Sequence, residues 1–259
     1  MSLSGRIVTR LVGSVADVPV PRRLRSPLWR AWAGAVGARL DEADTDPAEW
    51  STFGAVFMRD LADGARPLAD AAVISPCDGI VTDVDIVDRA DAWRVKGSDW
   101  RLDRLLGPVP VEPFSGGQAL VVYLGPSDPH SVHAPFDATV TAVAHRGGVL
   151  RTVRPEAEPR FDAHERVVFA GTMPDGRPWA LVMVAAVGVR RVDVAPALRS
   201  VHRGGGPPVD VARGERLATF GLGSTVVLAV GQGVALAPTD GHRRVLRGQR
   251  LGDLIPSAS

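Results

Sequence analysis

The sequence predicts an α+β protein, with a helical N-terminal portion set on a β-rich, barrel-like core. Three observations carry this reading. Residues 1–46 combine arginines with a short tryptophan-bearing apolar stretch, and Asp41-Glu42-Ala43-Asp44-Thr45-Asp46-Pro47 closes them with acid and proline, a natural boundary. Beyond residue 70 the apolar residues come in short valine-rich runs broken by Gly, Pro and Asp, the pattern of strands. At 259 residues and 45% hydrophobic, the chain can bury a substantial core. The organisation expected is a basic arm over 1–46 and a core over 47–259.

The arm carries seven arginines in its first 40 residues (6, 10, 22, 23, 25, 30 and 39) against one acid, Asp17. Leu28-Trp29-Arg30-Ala31-Trp32-Ala33-Gly34-Ala35-Val36 places two tryptophans among them. Two readings stand side by side. Arginine beside tryptophan suits contact with an anionic membrane surface, where charge meets head groups and amphipathic rings seat at the interface. A helical arm packed on the core, with its arginines solvated, fits equally well.

Composition excludes several classes. The net charge of +1 and an aromatic content of 5% make no case for nucleic-acid binding. The single cysteine, Cys77, rules out an internal disulfide framework and reads as a small buried hydrophobe. No apolar run reaches the roughly 18 residues of a membrane-spanning helix. The N-terminus lacks the apolar segment of a secretory signal, so residence in the cytoplasm is expected.

Along the core, strands are expected at Ala119-Leu120-Val121-Val122-Tyr123-Leu124, Thr139–Val143, Arg166–Phe169, Trp179–Val184 and Thr225–Val230. Arg203-Gly204-Gly205-Gly206-Pro207-Pro208 reads as a loop, since no lysine-serine ending or helix follows to make it a phosphate cradle. There is no internal repeat.

Three short segments carry chemistry. In Ile74-Ser75-Pro76-Cys77-Asp78-Gly79-Ile80-Val81, Asp-Gly between apolar runs is a hairpin signal. Asp78 can also serve as the carboxylate that orients a catalytic histidine. Leu124-Gly125-Pro126-Ser127-Asp128-Pro129-His130-Ser131-Val132-His133-Ala134-Pro135 follows an apolar run and brings two imidazoles together, the side chain suited to proton transfer near neutrality. A metal site is the weaker option, because no third ligand stands at a recognisable spacing. Gly221-Leu222-Gly223-Ser224-Thr225 is a turn between apolar segments. It also holds a Gly–Ser bond that a protein can cut in itself: glycine leaves its carbonyl open, and the serine hydroxyl can attack it once a base takes the proton.

Taken in order, Ser-Pro-Cys-Asp-Gly, then Asp-Pro-His-Ser-Val-His-Ala-Pro, then Arg-Gly-Glu-Arg-Leu-Ala-Thr-Phe-Gly-Leu-Gly-Ser-Thr resemble the phosphatidylserine decarboxylases, a self-processing family. Thr52–Pro67 resembles the segment ahead of that family's core, His164-Glu165-Arg166-Val167 its Asn-Glu-Arg element, and Val245–Gly252 the glycine-bearing end of its small subunit. The resemblance spans about residues 50 to 255, and the ordered set is far more specific than any one member. It departs at Pro129 and Ser131, where the family has Tyr and Arg, and near Val182–Ala186, where it has Val-Gly-Ala. Val189-Arg190-Arg191-Val192 is similar to its short forms.

The resemblance implies a β-rich core and a mechanism. Asp78 holds the tautomer of His133, His133 takes the proton of Ser224, and Ser224 Oγ attacks the Gly223 carbonyl to turn the peptide into an ester. Loss of the Ser224 Cα proton then expels the Gly223 carboxylate, and hydrolysis leaves a pyruvoyl group and ammonia. The products are a large chain over 1–223 and a small chain that begins with pyruvoyl. That group forms an imine with the amine of phosphatidylserine and accepts electrons as carbon dioxide leaves, with His130 protonating the carbanion to give phosphatidylethanolamine. A peripheral place on the inner face of the cell membrane is expected, and self-association is left open. Two other readings compete: a pyruvoyl decarboxylase of a free amino acid or another serine-headed lipid, and a non-catalytic β-barrel binding module.

Overall fold

A computed structural model describes residues 16–88, 93–95, 98–149, 161–186, 192–202, 205–221, 224–238 and 241–255. Gly223, Val189–Arg191, Arg203-Gly204 and the arginines at 6 and 10 lie outside the described residues.

Among the described residues the α-helices are α1 (Arg22–Val36), α2 (Phe53–Phe57), α3 (Leu102–Leu106) and α4 (Arg199–His202). The strands in chain order are β1 (Val73–Ile74), β2 (Gly79–Ile86), β3 (Trp93–Val95), β4 (Ser98–Trp100), β5 (Gln118–Leu124), β6 (Ser131–His133), β7 (Ala138–Arg146) and β8 (Arg166–Thr172). They continue with β9 (Pro178–Ala185), β10 (Val192–Val194), β11 (Val209–Val211), β12 (Arg216–Phe220), β13 (Ser224–Val230), β14 (Val234–Leu236), β15 (Arg243–Val245) and β16 (Arg250–Leu254).

The α+β class and the helical N-terminal portion are as the sequence predicts, but the core does not close into a barrel. Its main sheet has eight strands in the order β11-β7-β8-β9-β13-β5-β2-β15, ending in two different short strands. Its pairs are antiparallel. Closure requires the first and last strands to pair. Here β15 pairs with β2 and β11 with β7, and each ends its side of the sheet.

Strand β13 lies at the heart of this sheet. Ser224 through Val230 pair with Leu124 through Gln118 on β5 and with Ala185 through Trp179 on β9. All seven residues of β13 are buried, because the sheet is covered on both faces. Side chains alternate across a strand. Val226, Leu228 and Val230 therefore join Leu120, Val122 and Phe220 on one face. Val227 and Ala229 join Leu105, Phe114 and Phe161 on the other. The first face is covered in part by a smaller sheet, β10-β12-β6, which contributes Val194, Ala218 and Val132.

The N-terminal portion is tied to the core by aromatic packing. Trp29 and Ala33, one helical turn apart on α1, are buried with Leu40, Trp50 and Val56. The indole N–H of Trp29 donates to the Trp50 carbonyl at 3.1 Å. Trp32 meets Phe53 edge-on at 5.3 Å and lies 5.4 Å from Phe57. Trp29 is buried and Trp32 partly buried against the core, the arrangement of the packed-arm reading: indoles this large are stabilised by filling the seam between helix and core. The outer face of α1 shows Leu24 and Leu28, each about half exposed, among exposed Arg22, Arg23 and Arg30. Among the described residues no helix is long and apolar enough to cross a membrane.

Candidate active site

Ser224 is the first residue of β13, and by alternation its side chain shares the face of Val226 and Leu228. It is fully buried, and its Oγ has no hydrogen-bond partner among the described residues. A buried hydroxyl without a partner loses the stabilisation water would give it, about 1–3 kcal/mol.

The two histidines are held by separate sets of groups. His130 is fully buried, and its Nδ1–H donates to the Asp128 carbonyl at 2.7 Å. That bond leaves Nε2 with its lone pair, and this atom too has no partner among the described residues. Burial, aided by the nearby Arg59 guanidinium, pushes the His130 pKa down to about 4. The ring lies edge-on to Phe57, at 5.0 Å and 70°.

His133 stands on β6, where the expected Asp78–His133 hydrogen bond is not formed. Its Nδ1–H donates instead to the Gly214 carbonyl at 2.9 Å. Its Nε2 accepts from Ser131 Oγ at 3.1 Å and from Arg247 Nη1 at 3.0 Å. Burial, then the Arg247 charge, lowers its pKa to about 3. Both imidazoles are therefore neutral at pH 7, the protonation state a base needs, with the lone pair on Nε2 in each.

Asp78 is buried and engaged elsewhere. Arg66 reaches both of its oxygens, through Nε at 3.1 Å and Nη2 at 2.7 Å, and the Arg247 backbone N–H donates to Oδ1 at 2.8 Å. The choice of partner is electrostatic. A buried carboxylate is stabilised more by a charged, two-pronged guanidinium than by a neutral imidazole. Arg66 also bonds Glu42 at 2.6 Å; burial opposes its charge, but the two carboxylates outweigh that and raise its pKa. Asp78 thus makes no hydrogen bond to His133: it is linked to the ring through Arg247, whose backbone it holds and whose guanidinium touches the ring, and by its charge at longer range.

The turn before His130 is braced as well. Asp128, fully buried, accepts from the Gly125 N–H at 2.8 Å and pairs with Arg244. Burial raises its pKa, and Arg244 partly offsets this. Beside it opens a small cleft of about 60 Å³, lined by Arg39, Arg59, Arg66, Pro129 and Arg244 among others. Ser131 is buried against His133 rather than facing that cleft, whereas Pro129 lines it. Cys77 is buried, and burial holds its thiol well above the usual range. Gly79 opens β2 because a Cβ there would stand 2.5 Å from the Tyr123 carbonyl oxygen.

Sequence reasoning found Asp78, His130, His133 and Ser224 but missed Arg59, Arg66, Gly214, Arg244 and Arg247. Arg59 and Arg66 lie inside the Thr52–Pro67 segment and Arg247 inside Val245–Gly252, so the signal was an arginine in each matched block. Gly214 acts through its backbone, which no residue-type pattern reveals.

The phosphatidylserine decarboxylase family profile matches residues 53–253. The phosphatidylserine decarboxylase proenzyme of Halorhodospira halophila is 37% identical over 270 aligned positions, covering 97% of this chain and 91% of the relative. That of Myxococcus xanthus is 32% identical, covering 85% of this chain and 84% of the relative. A mitochondrial proenzyme of Caenorhabditis elegans is 32% identical, over 88% of this chain and 65% of its own length. The ordered motifs, the neutral buried histidines and these matches agree: the chain belongs to the phosphatidylserine decarboxylase family.

Proposed function

We propose that this chain is a proenzyme that cleaves itself between Gly223 and Ser224 and then decarboxylates phosphatidylserine to phosphatidylethanolamine. The observation that carries the reading is the fully buried Ser224 Oγ, without a partner among the described residues, at the head of the central strand. In the first reaction the Ser224 hydroxyl attacks the Gly223 carbonyl. The Oγ–C bond forms, the peptide C–N bond breaks, and a neutral histidine carries the hydroxyl proton to the departing amine. His133 takes this role. It requires Nε2 to exchange Arg247 and Ser131 for Ser224, and Asp78 serves by fixing the backbone of Arg247.

The unpartnered hydroxyl fits its use as precursor of a pyruvoyl group, which supplies an electron sink for loss of carbon dioxide. His130, neutral with a free Nε2 lone pair, accepts a proton from the substrate's ammonium. It returns that proton to the carbon that has lost the carboxylate. The cleft beside Asp128 lies next to the His130 turn, and Pro129 is the departure from the family pattern that meets it. Attachment to anionic membrane on the cytoplasmic side would use the outer face of α1, where arginines flank Leu24 and Leu28.

Intact mass under denaturing conditions tests the cleavage: two chains are expected, the smaller beginning at residue 224 with a blocked N-terminus. A single chain that stays whole on long incubation would refute it. His133→Ala is expected to stop cleavage, and His130→Ala to allow cleavage while abolishing carbon dioxide release. The opposite pattern would exchange the two roles.

A further inference from the structure

Arg59 is 3% exposed, yet among the described residues it makes no ion pair with a carboxylate. Its Nη1 donates to the Val56 carbonyl at 2.9 Å and its Nη2 to the Ser127 carbonyl at 2.8 Å. Its Nε is buried, with no partner among the described residues. Burial lowers its pKa, with Asp128, Asp78 and Glu42 acting at longer range to favour the charge. Stability alone is a poor reason to keep such a group, since well-packed apolar side chains commonly replace buried charges without loss.

What Arg59 does accomplish is geometric. Val56 belongs to α2, and Ser127 stands three residues before His130, so one guanidinium joins the helix to the turn that carries the ring. The next residue of α2, Phe57, sets its ring edge-on to the imidazole of His130. The far side of the turn is held by the Phe220 N–H, which donates to the His130 carbonyl at 3.0 Å. The His133 ring touches neither Arg59 nor Phe57, being held by Gly214, Ser131 and Arg247, although its strand β6 pairs with the same β12 that carries Phe220.

We infer that Arg59, together with Phe57, positions His130 for decarboxylation and has no part in self-cleavage. The inference rests on the reading that His130 serves decarboxylation and His133 serves cleavage. Because the supports of the two rings are separate, loosening one should separate the two reactions.

The test compares full-length Arg59→Gln, Phe57→Leu and His130→Ala with the unaltered protein. Glutamine can reach only one of the two carbonyls, and leucine removes the ring edge while keeping an apolar side chain. For Arg59→Gln and Phe57→Leu, cleavage judged by intact mass is expected to match the unaltered protein. The kcat for carbon dioxide release should fall about 10- to 100-fold with KM within about twofold, the range for a misplaced reacting group. Long-range proton–nitrogen NMR should show that His130 loses its single Nδ1–H form in both.

Normal kcat in both variants would overturn the inference, as would joint loss of cleavage and decarboxylation in both, which would make Arg59 and Phe57 determinants of folding. If His130→Ala released carbon dioxide normally, the role of His130 would fall. The NMR readout would then still decide whether Arg59 and Phe57 hold the ring.

Discussion

Lowering the pH should unfold the precursor by charging its two buried histidines, and the size of the effect follows from their surroundings. A histidine in the unfolded chain titrates near 6.5. Burial takes His130 to about 4 and His133 to about 3. As pH falls through 6.5 the unfolded state therefore binds two protons that the folded state refuses, so stability falls with pH. Each group contributes about 1.4 kcal/mol per pH unit while only its unfolded form is protonated. Together they should give a slope of roughly 3 kcal/mol per unit between about pH 6 and pH 4. By pH 4 the loss is roughly 6 kcal/mol, comparable with the whole stability of many domains, about 5–15 kcal/mol. Asp128 acts in the opposite sense. Burial raises its pKa, so its folded form takes a proton first and gains stability as the pH falls. The assay is urea unfolding from pH 4.5 to 7.5 of the Ser224→Ala chain, which lacks the hydroxyl proposed to cleave it and, staying whole, avoids the concentration dependence of two chains. Adding His130→Gln or His133→Gln should each lower the slope by about 1.4 kcal/mol per unit. A slope unchanged by either substitution would show that the imidazoles do not resist protonation in the folded state.

Three further outcomes follow from the packing and the exposed face of α1. Asp78→Ala leaves Arg66 buried with Glu42 alone, and the expected loss is about 3–5 kcal/mol by urea unfolding, with the Arg66→Met, Asp78→Leu pair recovering part of it. Trp29→Ala should cost about 3–5 kcal/mol by opening the seam under α1, and leave vesicle binding unchanged because the indole faces the core. Leu24→Asp with Leu28→Asp should weaken co-sedimentation with anionic vesicles, and added salt should weaken it further. Equal binding by all these proteins would move the lipid contact off α1.

Much of this protein is legible in one dimension. Valine-rich runs such as Val226–Val230 mark buried strands because β-branched side chains pack well on a pleated surface, and that preference is local. Asp78, His130, His133 and Ser224 stand out because their chemistry is written in residue type and order. The tertiary structure alone decided who partners whom. His133 is oriented by the carbonyl of Gly214, 81 residues away, and Asp78 is claimed by Arg66 and by the backbone of Arg247, 169 residues on. The tryptophans of α1 turned inward because the seam with Trp50 and Phe53 offers more burial than solvent does. The sheet stayed open because closure depends on the strands at its two ends meeting, a property of the whole sheet and of no single run. Local sequence sets the period of each element and the chemistry at each position. The pairing of buried charges and carbonyls is a competition among groups that only folding brings within 3 Å of one another.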